Sequence, residues 1–160
     1  MTDAQELVAE LTARGLTLGV AESLTGGAVA SEIVTVPGAS ATFLGGVVAY
    51  ATAVKHTVLG VGAALLDEHG PVHADVALQM ADGVRRAVAV AGRSADVGIS
   101  TTGIAGPTSD DGQPVGTVHI GVVTPQRSVT RAFLFAGDRA QIRTQARDAA
   151  IAAALEAIRE

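Results

Sequence analysis

The chain has 160 residues, no cysteine and a net charge of −5. That length fits one domain with its own core, and the absence of cysteine excludes thiolate metal sites, a cysteine nucleophile and disulfides. An acidic chain with 2% aromatic residues lacks the basic surface and stacking platform of a nucleic-acid-binding protein. No apolar run is long enough to span a bilayer, and the polar, acidic N-terminus is not a signal peptide. We therefore expect a single cytoplasmic α/β domain over residues 1–160, with neither a nucleic-acid nor a membrane partner.

Hydrophobic periodicity predicts six helical segments and five strands. In chain order they are helix Asp3–Ala13, strand Thr17–Ala21, helix Gly26–Val36, strand Phe43–Tyr50, a short helical piece up to Gly60, a helical turn Ala63–His69, helix Ala74–Ala91, strands Ala95–Ser100, Val115–Thr124 and Val129–Phe135, and helix Arg139–Ile158. Helices separate the first three strands, which permits parallel crossovers. The last three strands are joined by a Gly/Pro/Asp loop and a hairpin turn, which imply an antiparallel segment. The order predicts a three-layer α/β/α sandwich around a mixed five-stranded sheet with one antiparallel strand.

The segment after the first predicted strand is the richest in functional groups: Ala21-Glu22-Ser23-Leu24-Thr25-Gly26-Gly27. Ligands of open α/β sheets bind at this kind of strand end, where glycines allow close approach and a helix start favours an anion. Ser23 is a candidate nucleophile, although a serine here is more often a helix cap. Thr25 is the rival candidate for the nucleophile, and its alternative roles are a helix cap and a contact to the ligand. We expect Glu22 to accept backbone N–H groups at the helix start.

A second cluster of this kind begins at Ser100, after the third predicted strand, and contains Thr101, Thr102 and Gly103. We interpret these three residues as a loop that offers N–H groups to an oxyanion or hydroxyls to a sugar. The alternative is an ordinary turn that ends the strand. Two such loops predict the two walls of one site.

Tyr50 is the only tyrosine and Lys55 the only lysine of the chain. A lysine near a serine acts as its general base when burial lowers the lysine pKa. The competing interpretations are a tyrosine ring packed on the sheet and a lysine in solvent.

Arg139 and Arg143 lie four residues apart at the start of the last helix and share a face. Two interpretations compete: the pair binds a phosphate, or it forms a solvated face of the helix. The four histidines show no metal-ligand spacing, with His73 expected as a helix cap or surface residue and His119 as an ordinary strand residue. The pair Asp110-Asp111 indicates a turn rather than a metal site.

Several motifs in register, from about Glu6 to the end of the chain, are similar to the CinA C-terminal domain family, the nicotinamide-nucleotide amidohydrolases. Besides the Ser23 segment they are Gly45-Gly46-Val47-Val48-Ala49-Tyr50 with Lys55, Leu59-Gly60-Val61, Gly103-Ile104-Ala105-Gly106-Pro107, Pro114-Val115-Gly116-Thr117-Val118 and Phe135-Ala136-Gly137-Asp138-Arg139. The resemblance implies hydrolysis of nicotinamide mononucleotide (NMN) to nicotinic acid mononucleotide and ammonia, without metal or organic cofactor. It also implies the three-layer fold, a homodimer, and a stand-alone form of a domain that many relatives carry behind a larger one.

Carried over residue by residue, the resemblance implies Ser23, Tyr50 and Lys55 as catalytic residues. It implies a substrate site made of Glu22, Thr25, Gly26, Gly27, Thr101, Thr102, Gly103, Arg139 and Arg143. Ser23, deprotonated by Lys55 with help from Tyr50, would attack the carboxamide, and N–H groups around Gly26 or Gly103 would hold the oxyanion. Two features depart from the family pattern: the loop Thr108–Gln113, where relatives have paired glycines, and His73, where a small hydroxyl residue is usual. The alternatives are a nucleotide-binding module without turnover and an amidase for a different amide.

Overall fold

The computed structural model describes all residues, 1–160, and contains six α-helices and five strands. The helices are α1 Asp3–Arg14, α2 Ala28–Val34, α3 Thr52–Thr57, α4 Ala63–His69, α5 Ala74–Ala87 and α6 Arg139–Arg159, and the strands are β1 Leu18–Glu22, β2 Phe43–Val48, β3 Val97–Gly103, β4 Thr117–Val123 and β5 Ser128–Leu134. A 3₁₀ turn at Ala39–Ala41, which the sequence pattern did not predict, leads into β2. All predicted elements are present, with boundaries shifted by a few residues.

The five strands form one mixed sheet in the order β2-β1-β3-β4-β5. β1 pairs in parallel with β2 and β3, whereas β4 is antiparallel to both of its neighbours. β4 is therefore the single antiparallel strand, as predicted. The connections on either side of β4, residues 104–116 and the hairpin 124–127, contain no helix that could form a crossover, which agrees with the antiparallel orientation.

Helices cover both faces of the sheet, which confirms the three-layer α/β/α sandwich. A larger apolar cluster joins α1, α2 and α6 to one face, and a smaller one joins α5 and the segments around α3 and α4 to the other. The end helices are well capped, since Thr2 and Asp138 each form a capping box at the start of α1 and α6. No helix is both long and apolar enough to cross a membrane.

Two of the shifted boundaries matter for the description of the site and the fold. Thr101, Thr102 and Gly103 do not form a loop but are the last three residues of β3, where they pair with β4 as far as Val118. β-Branched threonines suit an extended, half-buried backbone, and the partner strand continues beside them. Helix α5 ends at Ala87 rather than Ala91, because the chain turns back there through left-handed residues.

Candidate active site

Ser23 follows β1 directly and is held against the neighbouring strand β3. Its backbone N–H donates to the Thr101 carbonyl oxygen at 3.1 Å and to Thr101 Oγ1 at 3.3 Å. The side chain lines a cleft of about 600 Å³ at the carboxyl ends of β1 and β3. The strand end therefore presents one hydroxyl into a cavity large enough for a small ligand.

Lys55 lies on α3, and its Nζ donates to Ser23 Oγ at 2.9 Å. The same nitrogen also donates to the carbonyl oxygens of Ala49, at 2.7 Å, and Tyr50, at 3.4 Å. The lysine is only 1% exposed. Burial lowers the Lys55 pKa from 10.5 to about 8, because a charged amine loses hydration there and no carboxylate is paired with it. The structure thus brings together the only lysine of the chain and Ser23.

Glu22 fixes the turn that carries Ser23. Its two carboxylate oxygens accept the backbone N–H groups of Val29, at 2.9 Å, and Ala30, at 3.0 Å. This is the role expected from the sequence, an acceptor at the start of α2. The carboxylate is 1% exposed and therefore faces the protein rather than the cleft.

Thr25, the rival nucleophile, has no exposed surface and does not line the cleft. Its hydroxyl lies 2.8 Å from that of Thr101, which is also fully buried. The pair ties the serine turn to β3. The backbone N–H of Gly26 is also occupied within the turn, since it donates to the Ser23 carbonyl oxygen at 3.1 Å. Gly27 forms the left-handed cap of α2, outside the cleft lining.

The cleft lining also contains Thr102 and Gly103, at the end of the neighbouring strand β3, and the loop that follows. The Thr102 hydroxyl donates to the Pro71 carbonyl oxygen at 2.6 Å and thereby anchors the segment that precedes α5. Of the two segments singled out in the sequence, the first therefore contributes Ser23 and Leu24 to the cleft lining, and the second contributes Thr102 and Gly103.

The two candidate arginines have different surroundings. Arg139 lines the cleft and donates to the Tyr50 hydroxyl at 3.1 Å and to the Gly106 carbonyl oxygen. Arg143 donates instead to the carbonyl oxygens of Leu24, at 2.9 Å, and Thr25, at 3.0 Å. Arg139 is therefore available to a ligand in the cleft, whereas Arg143 holds the serine turn from behind.

Tyr50 is 63% exposed at the mouth of the cleft, and its hydroxyl is bonded to Arg139 rather than to Lys55 or Ser23. Its contact with Lys55 is made by the main-chain carbonyl oxygen. Tyr50 therefore contacts Lys55 through its main-chain oxygen and Arg139 through its side-chain hydroxyl.

Sequence analysis missed four contributors to this site. The Ala49 and Gly106 carbonyl oxygens act through the main chain, which carries no residue-specific signal. Asp110 and Asp111 both line the cleft, although the sequence indicated only a turn. Asp111 also serves that turn, since it accepts the N–H of Gln113 at 3.1 Å.

No group of three or more acidic or histidine side chains is arranged to hold a metal ion. His73 caps α5 by accepting the Asp75 N–H, as expected from its position. His119 lies on β4, where burial and, secondarily, the nearby His73 lower its pKa.

The fold and the cleft with its serine–lysine pair define a class of α/β domain. Comparisons with known proteins show which family this class is. The family model described as the CinA C-terminal domain matches residues 2–158, and the chain belongs to that family. A CinA-like protein of Frankia casuarinae is 46% identical over 149 residues, which are 93% of this chain and 32% of that protein. A putative competence-damage inducible protein of Desulforamulus reducens is 43% identical over 137 residues, 86% of this chain and 32% of its own length. The chain thus spans about a third of the length of these curated relatives.

Solved structures of the same superfamily have the same fold. A competence-damaged protein (CinA) superfamily protein from Klebsiella pneumoniae superposes with a TM-score of 0.90 at 32% identity, covering 98% of this chain and 96% of that one. The corresponding superfamily protein from Escherichia coli gives a TM-score of 0.88 at 31% identity, covering 99% and 88%.

Proposed function

We propose that this protein is an amidohydrolase that converts NMN to nicotinic acid mononucleotide and ammonia. The observation that carries the proposal is the 2.9 Å contact between Lys55 Nζ and Ser23 Oγ in a buried corner of the cleft. A serine paired with a lysine whose pKa is lowered to about 8 is the arrangement needed for nucleophilic acyl transfer. Family membership and the implied substrate agree with this chemistry.

The carbonyl oxygens of Ala49 and Tyr50 explain how the amine is oriented. A neutral Lys55 has two N–H groups and one lone pair. When its N–H groups point to these two oxygens, the lone pair is left for the proton of Ser23 Oγ. Lys55 then takes that proton as Oγ attacks the carboxamide carbon and forms a tetrahedral intermediate.

Collapse of the intermediate breaks the C–N bond. Lys55, now protonated, donates its proton to the departing nitrogen, which leaves as ammonia and gives an acyl ester on Ser23. Water then attacks the ester carbonyl while Lys55 accepts its proton, and Ser23 is released with the proton returned to Oγ. No residue is left changed at the end of the cycle.

The remaining cleft groups bind the substrate in this proposal. Arg139 and the Tyr50 hydroxyl lie together at the mouth of the cleft, and they bind the 5′-phosphate there. Thr102 and Gly103, which line the cleft at the end of β3, contact the pyridine-ribose part. Arg143, Thr25 and Thr101 keep the serine turn in place and do not contact the ligand. We further propose that residues 1–160 act as one domain and assemble as a homodimer.

The test is ammonia release from NMN by the purified protein without added metal, compared with Ser23→Ala, Lys55→Ala and Thr25→Ser. We expect the first two variants to lose about 1,000-fold or more in kcat while keeping the wild-type circular dichroism spectrum. Thr25→Ser keeps the buried hydroxyl and should retain most activity.

Near-normal turnover in Ser23→Ala would refute the assignment of the nucleophile. A wild-type protein that binds NMN without turnover would instead be a nucleotide-binding module. Turnover of another carboxamide, with NMN left intact, would retain the reaction and change the substrate.

A further inference from the structure

The acyl-transfer mechanism needs a hydrogen-bond donor for the oxyanion, and the hydrogen bonds of the serine turn identify one. Gly26, one of the two residues expected from the sequence, donates its N–H to the Ser23 carbonyl oxygen. The N–H of Ser23 itself is taken by Thr101. Two donors of the turn are therefore already used in the free protein.

The N–H of Leu24, the residue after the serine, has no acceptor in the protein. Leu24 is only 4% exposed, yet it lines the cleft beside Ser23. Buried backbone N–H groups are almost always paired in folded proteins, so an unpaired one that borders a cavity is a candidate for a ligand contact. The N–H of Thr25 is also unpaired, but Thr25 does not line the cleft.

We propose that the Leu24 N–H donates to the oxyanion formed when Ser23 Oγ attacks the substrate carbonyl. This inference rests on the proposed function for its substrate, but it concerns any carbonyl attacked by Ser23. The geometry is set by covalent structure, since the amide of the following residue is only a few bonds from the nucleophilic oxygen. The amide after the nucleophile has the same role in other serine hydrolases.

Two neighbouring side chains hold the turn that carries this amide. Arg143 binds the carbonyl oxygens of Leu24 and Thr25, and Glu22 anchors the start of α2 on the far side of the turn. Because the donor is fixed before the substrate arrives, little reorganisation is needed in the transition state.

The test replaces the Leu24 amide by an ester, Leu24→leucic acid, which deletes the N–H and keeps the side chain. We expect kcat for NMN to fall by about 100–1,000-fold, with KM changed little. Leu65→leucic acid is the matched control, because the Leu65 N–H in the first turn of α4 is also unpaired and lies outside the cleft. It should retain wild-type kcat.

The ester also weakens the Ser23 carbonyl as an acceptor, so a second variant separates that effect. Gly26→glycolic acid removes the Gly26 N–H that this carbonyl accepts and leaves the Leu24 N–H intact. It should reduce kcat by less than about tenfold, in line with the ~1 kcal/mol of one neutral hydrogen bond. An equal loss in the Gly26 and Leu24 esters would overturn the proposal.

A readout that does not depend on NMN separates this proposal from the proposed function. A fluorophosphonate reacts with Ser23 Oγ as the O–P bond forms, fluoride leaves and the serine proton passes to Lys55. Mass spectrometry gives its labelling rate, which should fall in the Leu24 ester as kcat does. Labelling that depends on Leu24 in a protein without NMN turnover would support the donor and refute the substrate. Equal rates in the Leu24 and Leu65 esters, or no labelling of wild-type Ser23, would overturn the donor.

Discussion

Lys55 controls the pH dependence of the reaction if it is the base. Its pKa of about 8 means that the amine is mostly protonated below pH 8 and cannot accept the serine proton. We expect kcat/KM for NMN to rise about tenfold per pH unit below that value and to level off above it. Lys55→Arg keeps the charge but cannot deprotonate, so it should be inactive from pH 6 to 10. A flat wild-type profile over that range would contradict the role.

The same residue makes stability depend on pH. The folded-state pKa, about 8, is below the ordinary lysine value of 10.5. Between these values the unfolded chain binds a proton that the folded chain does not, and the free energy of unfolding therefore rises with pH. Lys55→Met lacks this contribution. Urea unfolding at pH 7 and pH 10 should show the wild type gaining stability relative to Lys55→Met, and a constant difference would exclude a lowered pKa.

Helix α6 contacts the site through two arginines with separable roles. Arg143→Met leaves the carbonyl oxygens of Leu24 and Thr25 without their donor, so it should lower the free energy of unfolding by about 2 kcal/mol and reduce kcat. Arg139→Met removes a cleft residue whose bonds are to the Tyr50 hydroxyl and the Gly106 carbonyl oxygen. It should raise KM for NMN and leave thermal unfolding nearly unchanged.

Nicotinamide riboside, which lacks the phosphate, provides the control for this pair. Arg139→Met should not weaken its hydrolysis, whereas Arg143→Met should impair both substrates alike. Equal losses on the riboside and on NMN in Arg139→Met would refute the phosphate contact.

Helix α5 approaches the sheet too closely for a side chain at Gly98. A Cβ there would lie 1.8 Å from the Ala81 carbonyl oxygen of α5. We expect Gly98→Ala to reduce the free energy of unfolding by about 3 kcal/mol, at the upper end of typical overpacking costs. Gly45→Ala, in the edge strand β2, places its Cβ 3.4 Å from a Val88 methyl group, an ordinary van der Waals distance, and should cost much less in the same urea titration.

Sequence patterns predicted the elements well because most of them depend on local periodicity. The antiparallel strand β4 followed from two short connections, and His73 was correctly expected at a helix start. The end of β3 was placed too early, because Thr101 and Thr102 are extended by pairing with β4, which is a tertiary effect.

The site was predictable in its residue types but not in its contacts. Ser23 and Lys55 are 32 residues apart, and only the parallel pairing of β1 with β2 brings the segments that carry them together. The different roles of Arg139 and Arg143 were also hidden, since both lie on one face of a helix. Which of them meets the cleft depends on where the serine turn packs against α6.

The cleft is a property of the whole molecule. Its walls come from the serine turn, the segment from Tyr50 to Lys55, the end of β3 with its loop, and Arg139 at the start of α6. A ligand that touches all four segments binds only the folded chain, so it must stabilise the entire domain. This predicts that ligand binding and global unfolding are coupled.

Ser23→Ala allows the coupling to be measured without turnover. NMN at 100 times its Kd should raise the free energy of unfolding of this variant by about 2.7 kcal/mol. Circular dichroism and differential scanning calorimetry should both show a single unfolding transition shifted to higher temperature. Arg139→Met combined with Ser23→Ala should need a higher NMN concentration for the same shift, because one wall has lost its contact with the phosphate. If NMN shifted neither variant, the cleft would not be its site. If it shifted both at the same concentration, the ligand would bind without Arg139, and the phosphate would have to lie elsewhere in the cleft.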